Sequence, residues 1–406
     1  MSHVGASSAR GERPLEHERC EWACRVVVTD PDGRAVEVND WDHSAPASAP
    51  RPVAPAVIDR RHHADRVDTD GMDQATTATI GAVLIVRDEA DAIARCLASL
   101  APLVDEIIVA DTGSRDDTME IAQSAGARVV PIEWDDDFAA ARNRALGHSR
   151  ARWVFSVDAD EVADGDRAAL NSLLAGLDAS TPALSVVIAH GGGPDARGLA
   201  AHRELKLFRP ELLRWRGRVH ERLTLSDGRE PTFAVADEEV LRLTHHGYRD
   251  EASVRAKARR NARLCALELD ELVATSAPVD EVARVALDLG RSYLGGGESE
   301  AATVAFALVR RIRSSGPAWR WASDFLAHLA LSSGRPDETL ELVDELAADG
   351  APLAYCNWLR ALAFAERGDR EGARMALSTI EQLVDLSGRP LTDDRLGALA
   401  EMLRVR

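Results

Sequence analysis

The stretch IGAVLIVRDEADAIARCLASL, residues 80–100, decides how the rest of the chain is read. Residues 80–86 are apolar apart from one glycine, as in a strand covered on both faces, and the residues after them set Ile93, Leu97 and Leu100 on one side of a helix. The same alternation repeats downstream. EIIVA leads to DDTMEIAQSAG, ARVVPIEW leads to DFAAARNRALGHS, and RWVFSV leads into an acidic cluster. Strands alternating with helices at this spacing predict an α/β fold, a mainly parallel sheet with helices on both faces. Ligands of such sheets bind beyond the carboxyl ends of the strands.

The chain of 406 residues is long enough for two or three domains. Its 67 acidic and 49 basic residues give a net charge of -18, which opposes general attraction to nucleic acid or anionic lipid. No apolar run of about 18 residues is present to cross a bilayer. Cys20, Cys24, Cys96, Cys265 and Cys356 are scattered without a disulfide or zinc spacing, and no apolar signal core follows the first residues. These features point to a cytoplasmic protein with reduced thiols. His17, Cys20 and Cys24 could share a metal, but local packing explains them as well. Residues 1–76, rich in Pro, Ala, Ser, Asp and Arg, are expected to be mostly disordered apart from a short strand at CRVVVTD. Met72 stands just before the first ordered-looking strand, so the leader could reflect the choice of start site.

Two strand ends carry unusual charge. IIVADTGSRDDT puts Asp111 at the tip of a strand, with Asp116 and Asp117 as caps of the next helix. Capping accounts for Asp116 or Asp117 but not for Asp111, a costly interior residue unless it meets a donor. VFSVDADE, residues 154–161, ends another strand in Asp158, Asp160 and Glu161. Carboxylates at i and i+2 beyond a strand can reach one point, where their repulsion calls for a hard cation such as Mg2+ or Mn2+. Solvated loop acids ahead of the helix near residues 164–177 are the simpler explanation of that tetrapeptide taken alone. From residue 183 the pattern is strand-like and mixed (ALSVVIAH, ELKLFRP, WRGRVHERL, VLRLTHHGY), closing near Tyr248. From residue 253 it is helical, with Gly297, Gly334 and Gly368 aligning three similar segments at tetratricopeptide-like intervals. Leu289, Gly290, Tyr293, Ala302 and Phe306 sit where such a repeat places its packing residues.

The ordered set LIVRDEADAIARCLASL, VDEIIVADTGSRDDT, IEWDDDFAAARNRAL and RWVFSVDADE resembles the family 2 glycosyltransferases. The later LKLFRP, GRVHERL and THHGY resemble a bacterial subgroup with a helical, repeat-containing tail. With the leader over 1–76 set apart by composition, the resemblance implies a GT-A domain over 77–250 and a tetratricopeptide-like region over 251–406. It implies an inverting transferase that uses a UDP-sugar and Mg2+ or Mn2+, with a peptide, lipid-linked saccharide or envelope glycan as acceptor. By the same resemblance Glu89, Asp111, Arg142, Asn143 and Asp158 line the nucleotide. Asp160 binds the metal, with His245 completing its shell or touching the diphosphate, and Glu221 is the candidate base. Arg87 and Asp88 depart from the commoner Lys-Asn. Lys257, Arg260 and Asn261 match a Lys-x-x-Arg-Asn pattern and share one helical face, where bracing is the favoured reading.

Two rivals compete with this reading. A sugar nucleotidyltransferase would carry a glycine-rich loop after the first strand, and LIVRDEADA contains no glycine. A non-catalytic scaffold would use its repeats to bind a protein partner or another copy of itself, with a relic first domain. Such a relic has no reason to keep Asp111, Asp158, Asp160 and His245 together.

Overall fold

A computed structural model of the chain describes residues 26–29, 35–38, 79–190, 201–246, 251–391 and 399. Strands β1 (Val26–Thr29) and β2 (Ala35–Val38) pair antiparallel, with Val26 opposite Val38. The first of them takes in the VVVT of the CRVVVTD segment. His17, Cys20, Cys24, Met72 and the remaining leader positions lie outside the described residues, as does Tyr248.

The main body begins with β3 (Ile80–Val86), α1 (Ile93–Leu100), β4 (Glu106–Asp111), α2 (Thr118–Ser124), β5 (Arg128–Pro131), α3 (Phe138–Leu146) and β6 (Trp153–Ser156). These four strands are parallel, in the order β5-β4-β3-β6. The continuous apolar run of β3 has a direct cause. Ile80, Ala82 and Leu84 join one core with Ile93, Leu97 and Leu100 of α1, while Val83 joins another with Ala145 and Leu146 of α3. Both faces are covered, so period-two alternation disappears.

Beyond β6 the sheet is mixed rather than mainly parallel. The chain continues through β7 (Glu161–Gly165), α4 (Arg167–Gly176), β8 (Ala183–His190), β9 (Ala201–Phe208), β10 (Leu213–Arg216), β11 (Arg222–Leu225), β12 (Ala234–Val235) and β13 (Leu241–His245). Strand β9 runs antiparallel to both β6 and β8, β13 is parallel to β8, and β7 closes the edge antiparallel to β13. Residues 157–160 are too few for the crossover that a parallel neighbour of β6 would need, so β7 leaves for the far edge. Strands β10 and β11 form a separate hairpin.

A helical array follows: α5 (Glu251–Ala274), α6 (Val279–Gly295), α7 (Ser299–Ile312), α8 (Pro317–Ser332), α9 (Pro336–Ala348), α10 (Leu353–Glu366) and α11 (Arg370–Ser378). Gly297, Gly334 and Gly368 stand between α6 and α7, α8 and α9, and α10 and α11, each with positive φ of 67° to 80°. The residue after each donates its N–H back five positions, to Tyr293, Ala330 and Phe364. This is the Schellman closure, in which a left-handed residue satisfies carbonyls at a helix end. The sequence repeat is therefore a repeat of helix pairs. In the first pair Phe306 is fully buried and stacks on Phe325 at 4.7 Å.

Candidate active site

The site gathers at the carboxyl end of the sheet. Val86 and Asp111 are register partners at the tips of β3 and β4, and their loops are tied together. Asp88, in a left-handed conformation (φ 56°), accepts from the N–H of Arg115, while its own N–H donates to Ser114. The N–H of Glu89 donates to Thr118 Oγ1 at 2.7 Å. Asp117 occupies the N-cap position of α2 without a side-chain capping bond. Asp116 instead accepts from the N–H groups of Thr118 and Ala90.

Asp111 is 2% exposed, and its carboxylate accepts from the N–H groups of Gly113 and Ser114 in its own turn. Those bonds satisfy a buried acid without any ligand. Asn143 is likewise engaged: its amide donates to the Trp215 carbonyl at 2.9 Å and accepts from the Trp215 N–H at 3.1 Å. It fastens α3 to β10, so its side-chain groups are turned to the backbone.

Arg142 is the hub. From α3 its Nη2 donates to Asp158 at 2.9 Å, its Nε to Glu221 at 2.6 Å and its Nη1 to Ser156 at 3.2 Å, while the guanidinium lies over the Trp215 ring. The planar fork suits two carboxylates approaching from different elements. Burial alone would lower the Arg142 pKa, but Asp158 and Glu221 outweigh it and raise it. Burial likewise pushes Asp158 up, and Lys206 and Arg142 overcome that and hold it well below the usual carboxylate range.

Lys206 was not anticipated from the sequence. It is 6% exposed, with Nζ 2.9 Å from Glu161, 3.4 Å from Glu204 and 3.6 Å from Asp158. Its burial is opposed by those three acids, which raise its pKa. Burial pushes Glu161 up to about 7, with Lys206 opposing. The Asp158 N–H donates to Glu161, so the Lys206–Glu161 pair supports the turn that carries Asp158.

Asp160 meets His245 from the end of β13, Oδ2 to Nε2 at 2.9 Å. The hydrogen bond to Asp160 raises the pKa of His245, and the same bond overcomes burial to lower that of Asp160. Glu89 faces the same acids. Burial first, then the charges of Asp160 and Asp158, push it up to about 7, and Lys257 of α5 partly opposes them. Lys257 thus serves the acidic end of the site, whereas Arg260 lies over the Phe138 ring and Asn261 is buried.

Among the described residues no group of three His, Cys, Asp or Glu side chains is arranged to hold a metal. Asp160 and His245 nonetheless supply a carboxylate oxygen and an imidazole nitrogen from adjoining strand ends, with Glu89 electrostatically strained by surplus negative charge. A carboxylate and an imidazole can both serve a divalent cation, and Asp160 and His245 are the residues that would hold one.

A glycosyl transferase family 2 model matches residues 82–242, the part of the chain ahead of its helical array. A TPR repeat-containing protein of Synechococcus elongatus is 51% identical over 87 residues, 21% of this chain and 22% of its own. The prophage-derived glycosyltransferase SunS of Bacillus subtilis is 33% identical over 94 residues, 23% of this chain and 22% of its own. This chain thus matches less than a quarter of the length of either relative. Glucosyl-3-phosphoglycerate synthase from Mycobacterium tuberculosis, solved with Mn2+ and UDP-glucose, is 20% identical with a TM-score of 0.34, covering 50% of this chain and 80% of its own.

Proposed function

We propose that the protein transfers a sugar from a UDP-sugar to an acceptor with inversion at the anomeric carbon, assisted by Mg2+ or Mn2+. The observation that carries this reading is the Arg142 bridge, which joins Asp158 at the donor-side turn to Glu221 on the loop between β10 and β11. Donor and acceptor chemistry then share one cleft. Glu89 and Asp158 face the nucleotide, with Asp111 shaping the floor of its pocket through its own turn. Asp160 and His245 hold the cation, which when bound neutralises the departing diphosphate. Arg142 orients Glu221 through Oε1, leaving Oε2 to take the proton of the acceptor hydroxyl. Asn143 holds the helix bearing Arg142 in register with the hairpin.

The acceptor is a peptide, lipid-linked saccharide or envelope glycan, and the helical array offers it, or another copy of the chain, an extended surface. A cytoplasmic setting accords with a donor made inside the cell. Isothermal calorimetry with UDP tests the reading. Binding is expected to require Mn2+ or Mg2+ and to be weakened in Asp160→Ala. Binding indifferent to metal in the wild type, or unchanged in the variant, would defeat it. Slow hydrolysis across a panel of nucleotide sugars would then identify the donor.

A further inference from the structure

The loop that carries Glu221 is not shaped by the sheet domain alone. Gly217 (φ 100°) and His220 (φ 52°) both take left-handed conformations, and a non-glycine residue held there needs outside support. That support comes from the helical array. Glu268 of α5 is 7% exposed, accepts the Arg218 N–H at 2.8 Å through Oε2, and pairs with Arg284 of α6 at 3.1 Å through Oε1. Val219 is buried among Ala262, Cys265, Val285 and Leu289 of α5 and α6. The Arg218 carbonyl in turn accepts from the N–H of Phe138, the first residue of the helix that presents Arg142.

Building on the transferase reading, we propose that Glu268 is a positioning residue: by clasping the Arg218 amide it holds the left-handed loop so that Glu221 meets Arg142. A buried carboxylate in mid-helix is costly unless its oxygens are used, and here one is used by a backbone N–H of the other domain. The first helices of the array are therefore part of the catalytic framework.

The test compares full-length wild type with Glu268→Ala and Glu268→Gln. Glutamine keeps an oxygen for the Arg218 N–H and gives up the charge and the hydrogen bond shared with Arg284. In Glu268→Ala, hydrogen exchange over residues 217–223 is expected to quicken ~10-fold or more while α5 and α6 stay protected. UDP-sugar hydrolysis is expected to fall ~10–100-fold with the Kd for UDP within about twofold, since a small displacement of the base harms turnover more than nucleotide binding. Glu268→Gln is expected to restore loop protection and most of the turnover. Unchanged loop exchange in the alanine variant, or equal losses in both variants, would overturn the proposal. Should the alanine variant not fold, Gly217→Ala strains the loop from its own side, and normal turnover in that chain would equally overturn it. If the wild type neither binds UDP nor hydrolyses its sugars, the transferase reading fails, while loop exchange still decides whether Glu268 holds the loop.

Discussion

At the scale of single residues, the site is an arrangement of surplus acids and few cations. Arginine suits position 142 because Asp158, Glu221 and Ser156 are each met by a different nitrogen of the planar fork, whereas a lysine would have to serve all three from one. Glu89 is the group left least satisfied, held near 7 in the folded chain against an ordinary value of 4.5. Between those values the unfolded chain has lost the proton and the folded chain keeps it. The unfolded state binds fewer protons, so stability falls as pH rises through that window. The full shift corresponds to ~3 kcal/mol, reduced to ~1–2 kcal/mol because Glu89 is only partly buried. Urea unfolding from about pH 5 to pH 8 is expected to show the wild type losing that increment and Glu89→Gln staying flatter by the same amount. Parallel curves would mean that Glu89 does not titrate there. The acids were readable from the sequence because charge at the end of an apolar run stands out. Lys206 was not, since a lysine between Leu205 and Leu207 reads as the solvent-facing member of an alternating strand. Only the folded sheet brings Glu161 and Asp158 to it.

At the scale of elements, the strands and helices of residues 80–156 followed from periodicity because both faces of β3 are covered. The repeat was readable because its turns require a left-handed residue, which leaves a glycine at a fixed place in each pair. What periodicity could not reveal was the departure of β7 to the far edge, a choice made by pairing partners distant in sequence. Gly290 shows how tightly one helix pair is built. A Cβ placed there would fall 2.4 Å to 2.8 Å from the Phe306 ring, which is itself stacked on Phe325 and cannot retreat. Gly290→Ala is expected to destabilise the chain by ~1–3 kcal/mol through overpacking, despite the better helix propensity of alanine. A melting temperature equal to or above the wild-type value would show that the ring has room to move.

For the whole molecule, the sheet domain and the first helices share a core. Trp134 and Phe138 pack against the cluster formed by Val219, Leu264, Val285 and Leu289, and Arg263 pairs with Asp136 across the junction. Domains joined in this way lose apolar burial together. Thermal unfolding followed by exchange in β3 and in α5 is expected to give coincident midpoints, and midpoints separated by more than about 5 °C would show two independent units. The junction was invisible in the sequence because Glu268 and Arg263 look like ordinary surface charges on a helix. One last consequence concerns β13, whose register sets Thr244 against Val162 and His245 against Glu161. Because side chains alternate along a strand, a slip of a single residue would turn the imidazole away from Asp160. The proton resonances of His245 therefore offer a readout of correct threading: a refolding chain can show the Asp160-bound signal only after its final strand has zipped home.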